Sequence, residues 1–415
     1  MSSDGQRWAG LAGILLVLAV AWLASENRRR VRRRTILWGL GLQALLVPLI
    51  LGLPGLGIGG PFQGGYTYLG RGVSALIGFA DEGAAFVFGG LVTQEPFLFA
   101  FRALPPIVFF STLIAVLYHA GILQKFVRAI AWFMAKTMGS SGAESLATAA
   151  NIFVGQAEAP LFVRPYLSAM TRSEIFCVMT AGMGTISIGV MGVYVSLLQS
   201  RIPDIAGHLL TANVMAAMAS LMIAKILVPE KGVPETLSGV RVHDAPSDSN
   251  FLEAAARGAT EGLHLALAVG AMLIAFIGLI TLLDTALAAA APAQGWSVSR
   301  FMGWGMGPVA WLLGVPWAEA PLVGQLLGKK LIFNEFVAYV DLAQVAPRLS
   351  DRSVLIAVYA LCGFANFASV GIQIGALGSL VPGQRTRLSA IGLRALLGGT
   401  LVSLFTASIA SLVLY

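Results

Sequence analysis

Three short stretches place acidic, amide and hydroxyl side chains in a sequence otherwise built for lipid. They are Asn151-Ile-Phe-Val-Gly155-Gln156-Ala157-Glu158-Ala-Pro160, Asn334-Glu335-Phe336 and Asn366-Phe-Ala-Ser369. Such groups at membrane depth are costly unless they face protein or a watery cavity, so they default to a functional reading. A carboxylate has about four lone-pair sites, enough to accept both hydroxyls of a vicinal diol. Its charge-assisted bonds are roughly twice as strong as neutral ones. Glu335 is therefore the leading candidate for substrate binding. Asn366 and Ser369, three apart, share one side of a helix and complete a polyol-binding face with it. The bland alternative pairs Glu335 with Lys329 or Lys330 as a structural ion pair.

Gln156 and Glu158 lie two apart beside Gly155, which allows close backbone approach. An amide both donates and accepts, which suits the edge of a heterocycle. Glu158 in a low dielectric is a candidate to bind or release a proton during transport, and a pair with Arg164 is its structural alternative. Asn151, Thr185 and Ser187, with backbone carbonyls near Val154 and Ile186, form an oxygen-only set that suits Na⁺ rather than a transition metal. Mid-span hydroxyls also commonly bond to their own helix, which leaves this set open.

The elements that must position these groups follow from composition. Of 415 residues, 57% are apolar and 11% charged, against roughly 25% charged in a soluble domain. The chain is a polytopic membrane protein, and residues 231–250 are its only long polar stretch. The net charge of +7 is concentrated in Arg28-Arg29-Arg30-Val-Arg32-Arg33-Arg34 between two apolar spans. Lys and Arg beside spans stay cytoplasmic, so this loop sets topology and does not mark a nucleic-acid binder. It also suits contact with anionic lipid. The charge follows the first apolar run instead of preceding it, so that run is a retained helix and not a secretory signal. Cys177 and Cys362 give no disulfide framework, and His119, His208, His243 and His264 show no ligand spacing.

About 20 apolar residues cross a bilayer as a helix. The expected spans are 8–25, 36–53, 103–123, 174–199, 205–228, 262–290, 353–380 and 387–413, placing both termini on the outer side. Residues 69–92, 124–138 and 251–261 mix charge with apolar stripes and are expected to be amphipathic helices at the interface. Residues 143–170 and 317–341 fit neither class: each apolar half is too short to cross, and Gly and Pro punctuate the middle. Non-helical backbone at membrane depth must be buried in protein or line a cavity, so two re-entrant hairpins are expected. Each precedes a glycine-spaced helix with polar groups in its centre, then a further span. The fold class is all-α, with about eight transmembrane helices plus two re-entrant helical hairpins in an inverted repeat.

Three motifs, Gly155-Gln-Ala-Glu-Ala-Pro-Leu-Phe-Val-Arg-Pro-Tyr166, Leu331-Ile-Phe-Asn-Glu-Phe-Val-Ala-Tyr339 and Cys362-Gly-Phe-Ala-Asn-Phe-Ala-Ser-Val-Gly-Ile-Gln-Ile-Gly375, occur in that order. In these the chain resembles the concentrative nucleoside transporter family over about 140–413. The resemblance implies inward symport of nucleosides driven by Na⁺ or H⁺, with no organic cofactor, by a homotrimer in the bacterial inner membrane. It divides the chain into scaffold elements (1–140 and 229–316) and a mobile transport region (141–228 and 317–415). It implies that Gly155, Gln156, Ala157 and Glu158 face the nucleobase with Val190 and Phe364 nearby, and that Glu335, Asn366 and Ser369 hold the ribose. It maps the cation to Asn151, Val154, Thr185 and Ile186. The family usually has Ser or Thr at Ala157 and Thr-Ile-Ala-Gly-Ser-Val where this chain has Thr185-Ile-Ser-Ile-Gly-Val190. Those changes leave base preference and the coupling ion open. The rival class is a membrane-embedded enzyme on a lipid-linked or nucleoside substrate, with Glu158 and Glu335 as acid and base. No nucleophile or phosphate-cradling loop accompanies them.

Overall fold

A computed structural model of the chain describes residues 3–52, 63–92, 98–237, 248–290, 292 and 295–413. Among the described residues every regular element is a helix, the form in which a lipid-embedded segment satisfies its own backbone. The N-terminal part comprises α1 (Ser3–Leu23), α2 (Arg33–Leu51), α3 (Gln63–Phe88), the short α4 (Phe99–Arg102), α5 (Pro105–His119) and α6 (Ile122–Met138). A first group follows: α7 (Gly142–Ala150), a 3₁₀ segment Ala159–Tyr166, α8 (Arg172–Gly184), α9 (Ile188–Leu198) and α10 (Ile205–Leu227). Next come α11 (Phe251–Ala290) and α12 (Val298–Leu312). A second group closes the chain: α13 (Ala320–Ile332), α14 (Glu335–Val345), α15 (Asp351–Leu361), α16 (Phe367–Leu380) and α17 (Arg385–Val413).

Helices α8, α10 and α15 are buried on all sides and form the centre of the molecule, as helices apolar all round must be. Helix α17 packs on α8, α10, α15 and α16, and α1 and α2 cover α17 and α10. Two pairs approach closely because glycine leaves room. A Cβ at Gly258 or Gly262 would meet α5 backbone at 2.8 or 2.7 Å, and one at Gly324 of α13 would meet the Gly307 nitrogen of α12 at 2.5 Å.

Local signals set the starts of α7 and α8, which bound the first expected hairpin. Ser141 and Glu144 form a reciprocal capping box at the start of α7, and Thr171 and Glu174 form another at α8, each such cap being worth about 1 kcal/mol. The boxes are tied together, since Ser141 Oγ donates to Glu174 Oε1 at 2.5 Å and Glu144 pairs with Lys225 at 2.6 Å. At the other side of the arginine-rich loop, Arg34 Nε donates to the Thr137 carbonyl at 2.9 Å and Thr35 Oγ1 to that of Met138 at 3.0 Å. These bonds close the C-terminus of α6.

Among the described residues, six helical stretches are long and apolar enough to cross a membrane: Gly70–Leu91, Phe99–His119, Arg172–Leu198, Ile205–Leu227, Phe251–Ala290 and Pro382–Val413. The chain is thus a multi-pass helical membrane protein. Of the eight expected spans, 353–380 is divided between α15 and α16, and 8–25 and 36–53 are not among these six. The structure differs from expectation elsewhere as well. Residues 70–91, expected at the interface, form a helix whose few charges leave it apolar enough to span. Residues 251–261 and 262–290, expected as separate elements, are one helix of 40 residues. Gly258 and Gly262 there serve contact with α5, not a break. The helix over 122–138 does carry the amphipathic pattern, burying Leu123, Val127, Ala131, Met134 and Met138 on one face. Residues 238–247 of the polar stretch 231–250, His243 included, and Tyr415 lie outside the described residues.

Candidate functional site

The two central helices expected to be broken are broken. Helix α8 ends at Gly184 and α9 begins at Ile188; α15 ends at Leu361 and α16 begins at Phe367. The breaks touch, because the Phe364 nitrogen donates to the Thr185 carbonyl at 3.2 Å. Gly363, at φ +142°, makes this possible: a Cβ there would stand 2.8 Å from the Gly184 oxygen.

Around the breaks lies a cavity of about 180 Å³ that all nine expected substrate residues line: Gly155, Gln156, Ala157, Glu158, Val190, Glu335, Phe364, Asn366 and Ser369. Three helix N-termini converge on it, since the N-cap residues Ser187 (α9), Asn334 (α14) and Asn366 (α16) also line its wall. Each cap side chain accepts a bond from its own helix: Val190 N to Ser187 at 3.4 Å, Val337 N to Asn334 at 2.9 Å and Ser369 N to Asn366 at 2.8 Å. Helix N-termini favour negative charge, which fits a carboxylate at the first position of α14. Helix α11 closes the cavity with Leu265, Val269 and Met272.

Glu335 is 3% exposed and is held by two donors. Asn366 Nδ2 reaches Oε2 at 3.0 Å, and the Tyr194 hydroxyl reaches Oε1 at 3.3 Å. Neither lysine of the structural alternative pairs with it. Lys329 is bonded to Asp341, and Lys330 donates to the Ala360 carbonyl and to Ser403 Oγ at 2.9 and 2.8 Å. On the opposite wall, Gln156 Nε2 donates to Ser369 Oγ at 3.0 Å, and Gln373 Nε2 donates to Gln156 Oε1 at 3.0 Å. Ser369 thus stands between the Glu335 half and the Gln156 half. Glu158 Oε2 accepts from the Gly155 nitrogen at 2.6 Å and makes no ion pair with Arg164. Both line a second hollow of about 360 Å³ that meets the first at Glu158, Ser187 and Leu265.

The two segments that carry the four residues expected at a cation, 151–154 and 185–186, are joined, since Asn213 Nδ2 bonds the carbonyls of both Ile152 and Ile186. Asn151 Nδ2 donates to the Ala147 carbonyl at 3.0 Å, while its Oδ1 is buried with no hydrogen-bond partner. A buried acceptor without a donor calls for one or for a cation. Thr185 Oγ1 bonds to its own helix through the Ala181 carbonyl at 2.8 Å. The turn after α7 and the break after α8 are joined by a bond from Ile188 N to the Phe153 carbonyl at 3.1 Å.

Three residues in this arrangement escaped the sequence reading. Asn213 donates to the carbonyls of Ile152 and Ile186 at 2.8 Å each and accepts from Ile186 N at 2.8 Å, clamping tip to break. A lone amide in the apolar α10 was the available signal. Gln373 completes a polar stripe with Asn366 and Ser369 at helical spacing, and a glycine at 182 admits it, since a Cβ there would meet Gln373 Nε2 at 2.4 Å. Tyr194 lies two turns after Ser187, on the same face of α9, and stacks on Tyr339 at 3.9 Å.

Family models for the Na⁺ dependent nucleoside transporter match residues 12–91 (N-terminus) and 208–411 (C-terminus), and a nucleoside recognition (gate) model matches 100–201. The chain is 39% identical over 412 residues to the uncharacterized transporter YutK of Bacillus subtilis (strain 168), covering 97% of this chain and 98% of that protein. It is 38% identical over 426 residues to sodium/nucleoside cotransporter 1 of Mus musculus, where it spans 64% of the mouse protein's length. The structure of CNTnw in an inward-facing substrate-bound state matches with a TM-score of 0.90 at 37% identity, over 98% of both chains. Substituted forms of that protein in outward-facing and intermediate states match with a TM-score of 0.91. The chain belongs to the concentrative, Na⁺ dependent nucleoside transporter family, a family of transporters and not of enzymes.

Proposed function

We propose that this protein is a secondary active symporter that imports nucleosides across a bacterial cytoplasmic membrane, driven by an inward Na⁺ gradient. The observation that carries the reading is Glu335, held by Asn366 and Tyr194 where three helix N-termini meet, in one cavity with the Gln156–Ser369 pair. Glu335 accepts the two ribose hydroxyls, and Asn366 supports it through their shared bond. Gln156 takes the base edge, with Gly155, Ala157, Glu158, Val190 and Phe364 around it. Burial of the site strengthens each bond to a substrate hydroxyl, because water is excluded.

Na⁺ is taken by Asn151 Oδ1, Thr185 and the carbonyls of Val154 and Ile186. The orphaned oxygen of Asn151 supports this, and so does a donor set with no sulfur or imidazole. The ion is a co-substrate: it draws hairpin tip and break together, which orders Gln156 and Glu158 for the nucleoside. Reciprocity then requires the nucleoside to raise Na⁺ affinity by the same factor. The hairpins at 143–170 and 317–341 are re-entrant and belong to a transport region that moves between outward- and inward-facing states against a trimeric scaffold. The inward- and outward-facing states of CNTnw support that cycle. The hollow below Glu158 is the route between site and water, and both termini face outward.

The test is uptake by proteoliposomes of a nucleoside panel under separate Na⁺ and H⁺ gradients. Accumulation of unchanged nucleoside driven by Na⁺ alone is expected. Equal competition by analogues lacking the ribose hydroxyls would remove the role of Glu335, and accumulation under neither gradient would remove symport.

A further inference from the structure

The two helical groups share one register. Helices α8 and α15 start at Arg172 and Asp351, and α9 and α16 at Ile188 and Phe367, each pair 179 residues apart. The N-caps Thr171 and Ser350, and Ser187 and Asn366, keep the same interval, as do Gly184 and Gly363 at the breaks. In this register Asn151 corresponds to Lys330, and the Ala181 carbonyl, which faces Thr185, corresponds to that of Ala360.

The correspondence is chemical as well as positional. In the first group Asn151 offers a buried oxygen without a donor, next in sequence to Ile152, whose carbonyl Asn213 ties to that of Ile186 at the break after α8. In the second group the equivalent residue is 4% exposed and brings an ammonium to the C-terminal end of α15. There its Nζ donates to Ala360 O and Ser403 Oγ, and Ser403 in turn bonds the Cys362 carbonyl at 3.2 Å. Among the described residues no carboxylate lies within ion-pair distance of Lys330, so carbonyl and hydroxyl oxygens solvate it, as they would a metal cation. Both break ends carry the partial negative charge of a helix C-terminus. A lysine side chain reaches, from the same backbone position, about as far as an ion held beyond an asparagine carboxamide.

We propose that Lys330 is a tethered cation: its ammonium fills, in the second group, the place that the mobile coupling ion takes in the first. The fold then has two equivalent cation positions at its breaks but exchanges only one of them with solution. The inference rests on the coupling-site reading of Asn151 and the Thr185–Ile186 break given above.

The experiment measures uridine binding and melting temperature of the purified protein in Na⁺ and in choline, for wild type, Asn151→Lys and Lys330→Asn. In Asn151→Lys, uridine binding is expected to persist with its Na⁺ dependence abolished. An Asn151→Lys protein that keeps the wild-type Na⁺ dependence would overturn the proposal. In Lys330→Asn, stability lost in choline is expected to return with Na⁺, and the Hill coefficient for Na⁺ should rise from about one toward two. Wild-type stability and Na⁺ response in Lys330→Asn would also overturn it. Should that variant yield no folded protein in Na⁺, Asn151→Lys alone decides. If wild-type uridine binding ignores Na⁺, the coupling-site reading fails by itself. The tether is then judged by whether Na⁺ restores the melting temperature of Lys330→Asn.

Discussion

The amide nitrogen of Phe364 donates to the carbonyl oxygen of Thr185 at 3.2 Å, so two helices broken far apart in sequence meet at their breaks. This contact places Asn366 and Ser369 of the cavity wall beside the segment that carries Gln156. It also sets the Thr185–Ile186 break next to the cavity, which is the arrangement that the proposed coupling requires.

Replacing Glu335 with Gln keeps the shape but removes the charge and turns an amide NH2, a donor, towards one of the two groups that donate to the carboxylate, Asn366 Nδ2 and Tyr194 Oη. Charged hydrogen bonds contribute about 1.5–3 kcal/mol, so a loss of roughly 10–100-fold in nucleoside affinity is expected. Uridine uptake by proteoliposomes checks it, with the melting temperature as a control for folding. Near-normal uptake would count against the ribose role.

Tyr194→Phe removes one of those donors and leaves the stacking on Tyr339 in place. The expected effect is milder, a several-fold rise in KM, since a single hydrogen bond contributes about 0.5–1.5 kcal/mol. A loss as large as that of Glu335→Gln would mean that Tyr194 touches the substrate directly.

Asn213→Leu deletes the three bonds that hold the tip at Ile152 to the break at Ile186. Leaving a buried polar group without its partner costs about 1–3 kcal/mol. Both a lower melting temperature and a weaker Na⁺ response of nucleoside binding are expected. A variant that melts earlier but keeps full Na⁺ sensitivity would show that the clamp serves stability only.

Gly363→Ala places a methyl 2.8 Å from both the Gly184 oxygen and Ser403 Oγ at a backbone φ of +142°. Overpacking at a strained position costs about 1–3 kcal/mol or more. A clear drop in melting temperature is expected, and an unchanged value would show that the breaks tolerate separation.

Glu26, between α1 and α2, resists ionisation through partial burial, but the hydrogen bond from Arg172 and the charges of Arg172, Arg394 and Lys231 outweigh it. Its carboxyl is therefore held below the usual range. A lowered folded pKa gives stability that is present above the unfolded value of about 4.3 and lost as pH falls through the folded one. Glu26→Gln should flatten that part of the melting profile below about pH 4.3 relative to wild type. Identical acid limbs in the two proteins would remove Glu26 as a cause.

Much of this was legible from the chain alone. Low charge, apolar runs and the arginine loop determine a multi-pass membrane protein, because lipid tolerates little else. Glycine, proline and amide clusters marked both broken helices and the polar groups Gln156, Glu158, Glu335, Asn366 and Ser369 of the cavity, whereas Val190 and Phe364 came only with the family resemblance. Periodicity, however, reports only which residues share a face of one element. It is silent on partners: Gln156 meets Gln373, Asn213 spans from α10 to the hairpin tip, and Lys330 turns from Glu335 to the end of α15. Nor did local charge reveal that 251–290 is one helix, since the α5 surface that receives Gly258 and Gly262 exists only after packing. Composition and spacing chose the polar groups; the crossing of two broken helices decided which of them face each other, because only that packing brings remote segments within hydrogen-bond reach.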